Sequence, residues 1–257
     1  MKKSVSILLT IHNKEFLIEM VCENILKNIS DNVEQIIVVY DGCTDKSEVL
    51  SKNILKKFDK KLTYLYTDDV FETKANNFGL KHVESEYVTI IQDDMIINEI
   101  DFDKRMIQPF MNFEDVFAVT SFRAHNDRVY GGNKISHVDI IDGKLGYPRD
   151  KFGVREIANR GPLMYNYSDV VKLNFYDEIF SPQTYDDHDI SFRAWEKLGK
   201  VSGLYWIDWY SKPEWGTTRT KSYDLIREAD KKNEKIIAER WGHILNGTII
   251  NENRNLN

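Results

Sequence analysis

Two adjacent carboxylates, Asp93 and Asp94, follow directly on Tyr87-Val88-Thr89-Ile90-Ile91-Gln92, with Met95 and the apolar pair Ile96-Ile97 beyond. The β-branched and aromatic run reads as a buried strand. The acids therefore stand at a strand end, where α/β proteins place their ligand crevice. Neighbouring carboxylates repel unless a cation or hydrogen-bond donors relieve them. A hard divalent ion bound to a phosphate is a natural relief, because such ions favour carboxylate and phosphate oxygens. A solvated turn is the plainer reading of an isolated Asp-Asp, so the elements around it decide.

Those elements alternate. Val5 to Thr10 is a strand, and Asn13 then caps a helix carrying Leu17, Val21, Ile25 and Ile29 at helical spacing. Gln35 to Tyr40 is a near-continuous apolar run, as expected of a strand buried on both faces of a parallel sheet. Asp41-Gly42 breaks it. A helix over 45–58, a strand over Leu62 to Tyr66, a helix over Thr73 to Val83 and the strand Tyr87 to Ile91 complete a β-α-β-α-β-α-β order. That order predicts an α/β fold with a doubly wound, mostly parallel sheet and right-handed crossovers. Ligand-capable residues then recur at strand ends: Thr10, His12 and Asn13, then Asp41, then Asp93 and Asp94. Asp68-Asp69, after the third strand, reads as a turn.

Periodicity is lost from Ser121 to Arg160, where Gly131-Gly132, Gly143, Gly146, Pro148 and Gly153 are interspersed with arginines. A long irregular stretch of this kind suits a functional loop region. A helix begins near Asp187, with Ile190, Ala194 and Leu198 on one face and Gly199 as its stop. Leu204 to Ile207 reads as a strand, Tyr223 to Trp241 as a closing amphipathic helix, and 251–257 as a fraying end. No repeat or linker stands out, which suggests one domain over 1–257.

The formal charge of -6 argues against a nucleic-acid partner held by a broad basic surface. Cys22 and Cys43 form neither a CxxC pair nor a zinc-ligand spacing, which suits a reducing, cytoplasmic setting. Met1-Lys2-Lys3 and the apolar run after it imitate a signal peptide but lack a cleavage pattern, so the run reads as a core strand. No stretch approaches the roughly 18 apolar residues of a membrane span, which leaves peripheral contact with an inner membrane face as the expected mode of any association.

In four segments the chain resembles the inverting, metal-dependent GT-A glycosyltransferases of family 2. Val5 to Asn13 is similar to the family's opening strand, and Ile37 to Asp45 to its nucleotide-binding turn. Lys74 to Leu80 with Tyr87 to Asp94 resembles its Ala-x-Asn-x-Gly helix and DxD segment. Arg160-Gly161-Pro162-Leu163 and Tyr185 to Arg193 resemble its acceptor side. The resemblance implies a GT-A fold with a nucleotide-sugar-binding half over 1–120 and an acceptor-binding half with closing helix over 121–257. It implies transfer of a hexose-type unit from a nucleotide-diphosphate sugar, UDP-linked by preference, to a hydroxyl of a glycan or glycolipid acceptor.

Residue by residue, the resemblance assigns Asp41 to the nucleobase imide N–H, which suits a uracil. Thr10 and His12 line the base pocket, while Lys74 and Asn77 are candidates for nucleotide contacts. Gln92 stands where the first acid of DxD is usual and is a poor metal ligand. Metal binding, by Mn²⁺ or Mg²⁺, then falls to Asp94, and Asp93 turns to ribose, sugar or metal-bound water. Asp187 is the general base, at a helix N-terminus that favours its ionised form; capping that helix is the structural alternative. Arg160, Asp186 and His188 stand on the acceptor side, and Asp189 is placed to pair with Arg193 four residues on.

The late histidine that many relatives add to the metal is missing from Tyr205 to Gly216, where Asp208 or Glu214 would have to compensate. His125, His137 and His243 are too remote in sequence to nominate. Trp206, Trp209 and Trp215 read either as a sugar-stacking wall or as core. A sugar-1-phosphate nucleotidyltransferase would need a glycine-rich basic loop after the first strand, and Thr10-Ile11-His12-Asn13 supplies none. A catalytically silent nucleotide-sugar-binding module would keep Asp41 and Asp94 but need not keep Asp187.

Overall fold

The computed structural model describes residues 3–130, 134–216, 223–247 and 252–256. Gly131 and Gly132, Met1 and Lys2, and the end residues Asn251 and Asn257 lie outside them. The first half alternates as its periodicity requires: β1 (Val5–Ile11), α1 (Ile18–Asn28), β2 (Val33–Asp41), α2 (Ser47–Leu55), β3 (Lys61–Thr67), α3 (Phe71–Leu80) and β4 (Tyr87–Gln92). There follow β5 (Ile96–Ile97), α4 (Phe102–Asn112), β6 (Val116–Thr120), β7 (Arg123–Tyr130) and β8 (Lys134–Asp142). The chain continues through β9 (Lys151–Arg155), β10 (Ile157–Ala158), β11 (Leu163–Asn166), α5 (Tyr167–Lys172), α6 (Asp186–Leu198), β12 (Val201–Leu204) and β13 (Trp209–Tyr210). The long helix α7 (Tyr223–Leu245) and the short strand β14 (Glu252–Asn255) close it.

Nine strands form one sheet in the order β14-β9-β12-β6-β11-β4-β1-β2-β3. β1 lies between β4 and β2, parallel to β2 with Leu8 opposite Ile37 and parallel to β4 with Leu8 opposite Ile90. β11 runs antiparallel between β4 and β6. Alternation along β1 splits its side chains between two layers. Val5, Ile7, Leu9 and Ile11 pack with Val21 and Ile25 of α1. Leu8 faces the other way, with Ile37 and Val39, onto Ala75 and Leu80 of α3. Each such buried aliphatic side chain contributes about 1.5–3 kcal/mol of transfer free energy.

Helix α3 sits very close to the sheet because Gly79 leaves room. A Cβ on Gly79 would lie 2.3 Å from Leu8 Cδ1 and 3.0 Å from Val39 Cγ2. This approach sets the height of the helix whose first turn carries Glu72 and Thr73.

Several expectations change. Asn13 does not cap a helix: α1 starts at Ile18, and Asn13, at φ 48, accepts from the Thr44 N–H through its Oδ1 at 2.8 Å. That amide oxygen ties the end of β1 to the turn after β2. The stretch over 121–160 is largely strand, and β7 and β8 pair as a hairpin in a separate three-stranded sheet. Its helical period was absent because strand alternation with scattered glycines and arginines replaced it. The strand sought at Leu204–Ile207 ends at Leu204. Glu252 to Asn255 pairs antiparallel with β9 rather than fraying, and Arg254 grips both oxygens of Asp115 at 2.6 and 2.9 Å.

Replacing Gly79 with alanine should overpack this contact and cost about 1–3 kcal/mol. Urea unfolding should show a lower midpoint at unchanged slope; an unshifted midpoint would mean that α3 is free to lift off the sheet.

Candidate active site

The carboxyl ends of β1, β2 and β4 converge, as parallel pairing dictates. The His12 backbone N–H donates to Asp93 Oδ2 at 2.9 Å, and the His12 ring Nδ1 donates to the Asp41 carbonyl at 2.6 Å. Thr10 Oγ1 donates to Asn76 Oδ1 at 2.8 Å. The Asp41 carboxylate, fully buried, accepts from Thr67 Oγ1, Val70 N–H and Phe71 N–H at 2.7–3.0 Å, so it folds the β3–α3 turn onto the end of β2.

Lys14 is buried beside Asp93, its Nζ 3.4 Å from Oδ1, and it also donates to the Trp215 carbonyl. Burial nonetheless pushes the Asp93 carboxyl up to about 6, against the pull of Lys14. Burial also raises Asp94; Lys14 opposes this and Glu72 adds to it. Gly216 closes over this acid, where a Cβ would stand 3.3 Å from Asp94 Oδ2.

A second group forms between α3, the β10–β11 turn and the start of α6. Arg160, 8% exposed, places Nη1 2.6 Å from Asp186 Oδ2 and Nε 3.0 Å from Glu72 Oε1. Glu72 Oε1 also accepts from Gln92 Nε2 at 2.8 Å, which joins the two groups. Asp186 is fully buried and takes a further bond from Thr73 Oγ1 at 2.8 Å.

The next residue, Asp187, accepts through Oδ2 from Asn159 Nδ2 and the Arg160 N–H, both at 3.2 Å, and through Oδ1 from the His188 N–H at 3.0 Å. Burial works against its ionised form. The charges of His188 and Arg160, with the Asn159 and backbone donors, outweigh burial and hold the carboxyl below the ordinary range. Burial likewise opposes a charged His188, but Asp127 and Asp187 prevail and raise it.

Gly161 allows this turn. It sits at φ 108, and a Cβ there would lie 2.2 Å from Met95 Cε and 2.9 Å from Gln92 Oε1. The other approach is held by α7, whose Asn233 Nδ2 lies 2.8–3.1 Å from the carbonyls of Phe180, Gln183 and Thr184. Thr184 and Tyr185 then enter α6 at φ 71 and 64, a strained backbone of the kind that clusters at functional sites. A cavity of about 410 Å³ opens here, lined in part by Gln92, Asn159, Arg160, Asp187 and His188.

The structure thus brings Thr10, His12, Asp41, Asp93 and Asp94 to one end of the sheet, and Gln92, Arg160, Asp186, Asp187 and His188 beside them. It does not bring Lys74 and Asn77. Lys74 is exposed on α3, and the Asn77 amide clasps the Tyr176 backbone, donating to its carbonyl at 2.9 Å and accepting from its N–H at 3.0 Å. Its neighbour Asn76 is the one that meets Thr10. Trp209 is core, donating to the Ser121 carbonyl. Asp189 does pair with Arg193, at 2.7 Å.

Lys14, Glu72 and Asn159 carry no local motif, although Lys14 stands in the loop after β1 and Glu72 in the first turn of the helix that follows β3. Position at the same sheet end was the signal available for both.

The donor set around Asp94 fits a hard divalent cation. Burial raises both Asp93 and Asp94 although Lys14 opposes it at each and Lys144 at Asp94, and a hard divalent cation would relieve that excess. A further group, His12, Asp41 and Asp69, also has ligand atoms within 4.8 Å of one another, but Asp41 is already held by three donors.

The sequence profile of glycosyl transferase family 2 matches residues 6–173. The chain is 27% identical over 146 residues to the minor teichoic acid biosynthesis protein GgaB of Bacillus subtilis, covering 53% of this chain and 16% of that protein. It is 33% identical over 101 residues to glycosyltransferase GlyG of Streptococcus pneumoniae serotype 4, covering 38% of this chain and 33% of the relative. The chain therefore spans a third or less of the length of these relatives. Mannosyltransferase PcManGT from Pyrobaculum calidifontis, solved with GDP-Man and Mn²⁺, superposes at a TM-score of 0.65 with 16% identity, over 97% of this chain and 66% of that one. S. aureus TarS 1–349 with UDP-GlcNAc superposes at 0.53 with 17% identity, over 78% and 55% of the two chains. These likenesses show a GT-A fold. No helix among the described residues is long and apolar enough to cross a membrane.

Removing the Arg160 charge while keeping its bulk, as in Arg160→Met, should cost about 3–5 kcal/mol, because it strands the buried Asp186 carboxylate. Adding Asp186→Asn should recover part of that loss in a double-mutant cycle by urea unfolding. Strictly additive losses would show that the two charges do not depend on one another.

Proposed function

The chain belongs to glycosyl transferase family 2, and from that premise we propose that it is an inverting transferase. It moves a sugar from a nucleotide-diphosphate sugar, UDP-linked by preference, to a hydroxyl of a glycan or glycolipid. The observation that carries this reading is the Asp187 carboxylate, ionised by its surroundings, fixed by Asn159 and the Arg160 backbone, and lining the cavity that Gln92 also lines.

Inversion needs a base on the face opposite the leaving group. In this reading an acceptor hydroxyl enters the cavity and Asp187 takes its proton as the oxygen attacks the anomeric carbon. Asp186 and Arg160 hold Asp187 in place. His188 keeps it charged before attack. On the donor side, in this reading, Asp93 and Gln92 meet sugar or ribose hydroxyls, and His12 and Thr10 edge the nucleotide. A divalent ion, Mn²⁺ or Mg²⁺, held by Asp94 would supply Lewis-acid neutralisation of the departing diphosphate.

Support for a nucleotide-sugar donor comes from the solved neighbours, among them TarS with UDP-GlcNAc, PcManGT with GDP-Man and Mn²⁺, and GalNAc-T7 with UDP, GalNAc and Mn²⁺. In this reading residues 1–120 serve the donor and 121–257 the acceptor. Action on a glycolipid would place the protein in the cytoplasm, against the inner membrane face.

A panel of nucleotide sugars, with and without Mn²⁺, should reveal metal-dependent donor turnover. Asp187→Asn should lower kcat by about 10²–10⁴-fold, the usual range for a general base, with donor affinity unchanged. Asp94→Ala should weaken donor binding only when metal is present. Full activity of Asp187→Asn would overturn the mechanism. Tight donor binding with no turnover by the unsubstituted protein would instead favour a silent binding module.

A further inference from the structure

Three histidines surround one buried carboxylate on the wall of the acceptor cavity. His125 and Asp127 stand two residues apart on β7, so their side chains share a face. His137 lies directly opposite Asp127 across the β7–β8 hairpin, and such partners bring their Cβ atoms to about 5 Å. The extra residue of the hairpin falls in β8, where Asp139 takes φ 52, so β7 keeps its alternation through 125–127. The outcome is a shared oxygen: Asp127 Oδ1 lies 3.1 Å from His125 Nε2 and 2.6 Å from His137 Nδ1. Asp127 Oδ2 lies 2.9 Å from His188 Nδ1.

His137 Nδ1 is hydrogen-bonded to Asp127 Oδ1, but the other contacts of the cluster are poorly matched. Asp127 is fully buried and His125 is 2% exposed, yet neither ring nitrogen of His125, nor Asp127 Oδ2, nor His188 Nδ1 has an aligned hydrogen-bond partner. Buried imidazole and carboxylate atoms about 3 Å apart with no aligned partner call for an explanation, and an ion held between them is one. Ligands at about 2.0–2.1 Å from a tetrahedral ion stand roughly 3.3 Å apart. One ligand atom from each of His125, Asp127 and His137 falls within 4.8 Å of the others.

We propose that His125, Asp127 and His137 bind a divalent transition-metal ion of zinc type, with its remaining position facing the acceptor cavity. Two imidazoles and a carboxylate form a ligand set that suits such an ion. His137 is half-exposed beside the cavity and gives the ion an entry path. Its Nδ1 ligates once the ring proton moves to Nε2, a change of tautomer without change of charge. His188 Nδ1, 2.9 Å from the second carboxylate oxygen, is within reach to act as the outer contact of a ligating Asp once its ring turns to donate. The site is distinct from Asp94, whose all-oxygen surroundings select a hard cation.

The probe is Co²⁺, titrated without nucleotide into the full chain after chelator treatment and followed by visible absorption. One ion per chain should bind, with the spectrum of a low-coordinate nitrogen and oxygen site, and Zn²⁺ should displace it. His137→Gln, a change at a half-exposed position, should keep the fold by circular dichroism and weaken Co²⁺ binding at least about tenfold, as loss of even an outer contact commonly does. Asp94→Ala and His12→Gln should bind Co²⁺ as the unsubstituted protein does. No Co²⁺ binding at millimolar concentration, undiminished binding in His137→Gln, or loss of binding in Asp94→Ala or His12→Gln would overturn the proposal.

Discussion

A single buried guanidinium organises the part of this site where α3, the β10–β11 turn and α6 meet. Arg160 meets Glu72 from the helix after β3 and Asp186 from the start of α6, and its own backbone N–H reaches Asp187. Taking such a charge out of water costs several kcal/mol, which only well-placed carboxylates offset. The consequence is positional: three elements far apart in sequence must meet at the arginine, or its charge is left stranded. Burial disfavours a charged Arg160, yet Asp186, Glu72 and Asp187 together raise it well above the ordinary arginine range. The same field keeps Asp187 ionised although the protein surrounds it.

The ends of β1, β2 and β4 rest on the opposite imbalance. Parallel strands end together, so Thr10, Asp41 and Asp93 cannot avoid one another once β1, β2 and β4 pair. Lys14 relieves only part of the resulting repulsion. Glu72 couples the two sides, since one of its oxygens serves both Gln92 and Arg160.

Much of this was legible from periodicity and strand ends. The alternating first half, the acids after β4 and the Asp189–Arg193 pair at helical spacing needed only local rules. Tertiary contacts were not legible. Asn76 and Asn77 are neighbours with the same chemistry, and only the packing of α3 decides which one meets Thr10 and which clasps Tyr176. Asn13 looked like a cap because caps and turn ties use the same side chain. The histidines stayed hidden because 125, 137 and 188 meet only after a hairpin forms and α6 docks against it. An i, i+2 His-x-Asp pair on a strand was the faint signal available.

The account turns on Asp187 being an ionised carboxylate at the start of α6, kept so by Arg160 and His188. The direct measurement is its own titration, followed by the carboxyl ¹³C resonance and assigned by comparison with Asp187→Asn. With Arg160 and His188 acting on it, its midpoint should fall below the ordinary aspartate range, so that the group is fully charged at neutral pH. A midpoint within or above that range would contradict it, because burial would then have outweighed the charges placed around this carboxylate.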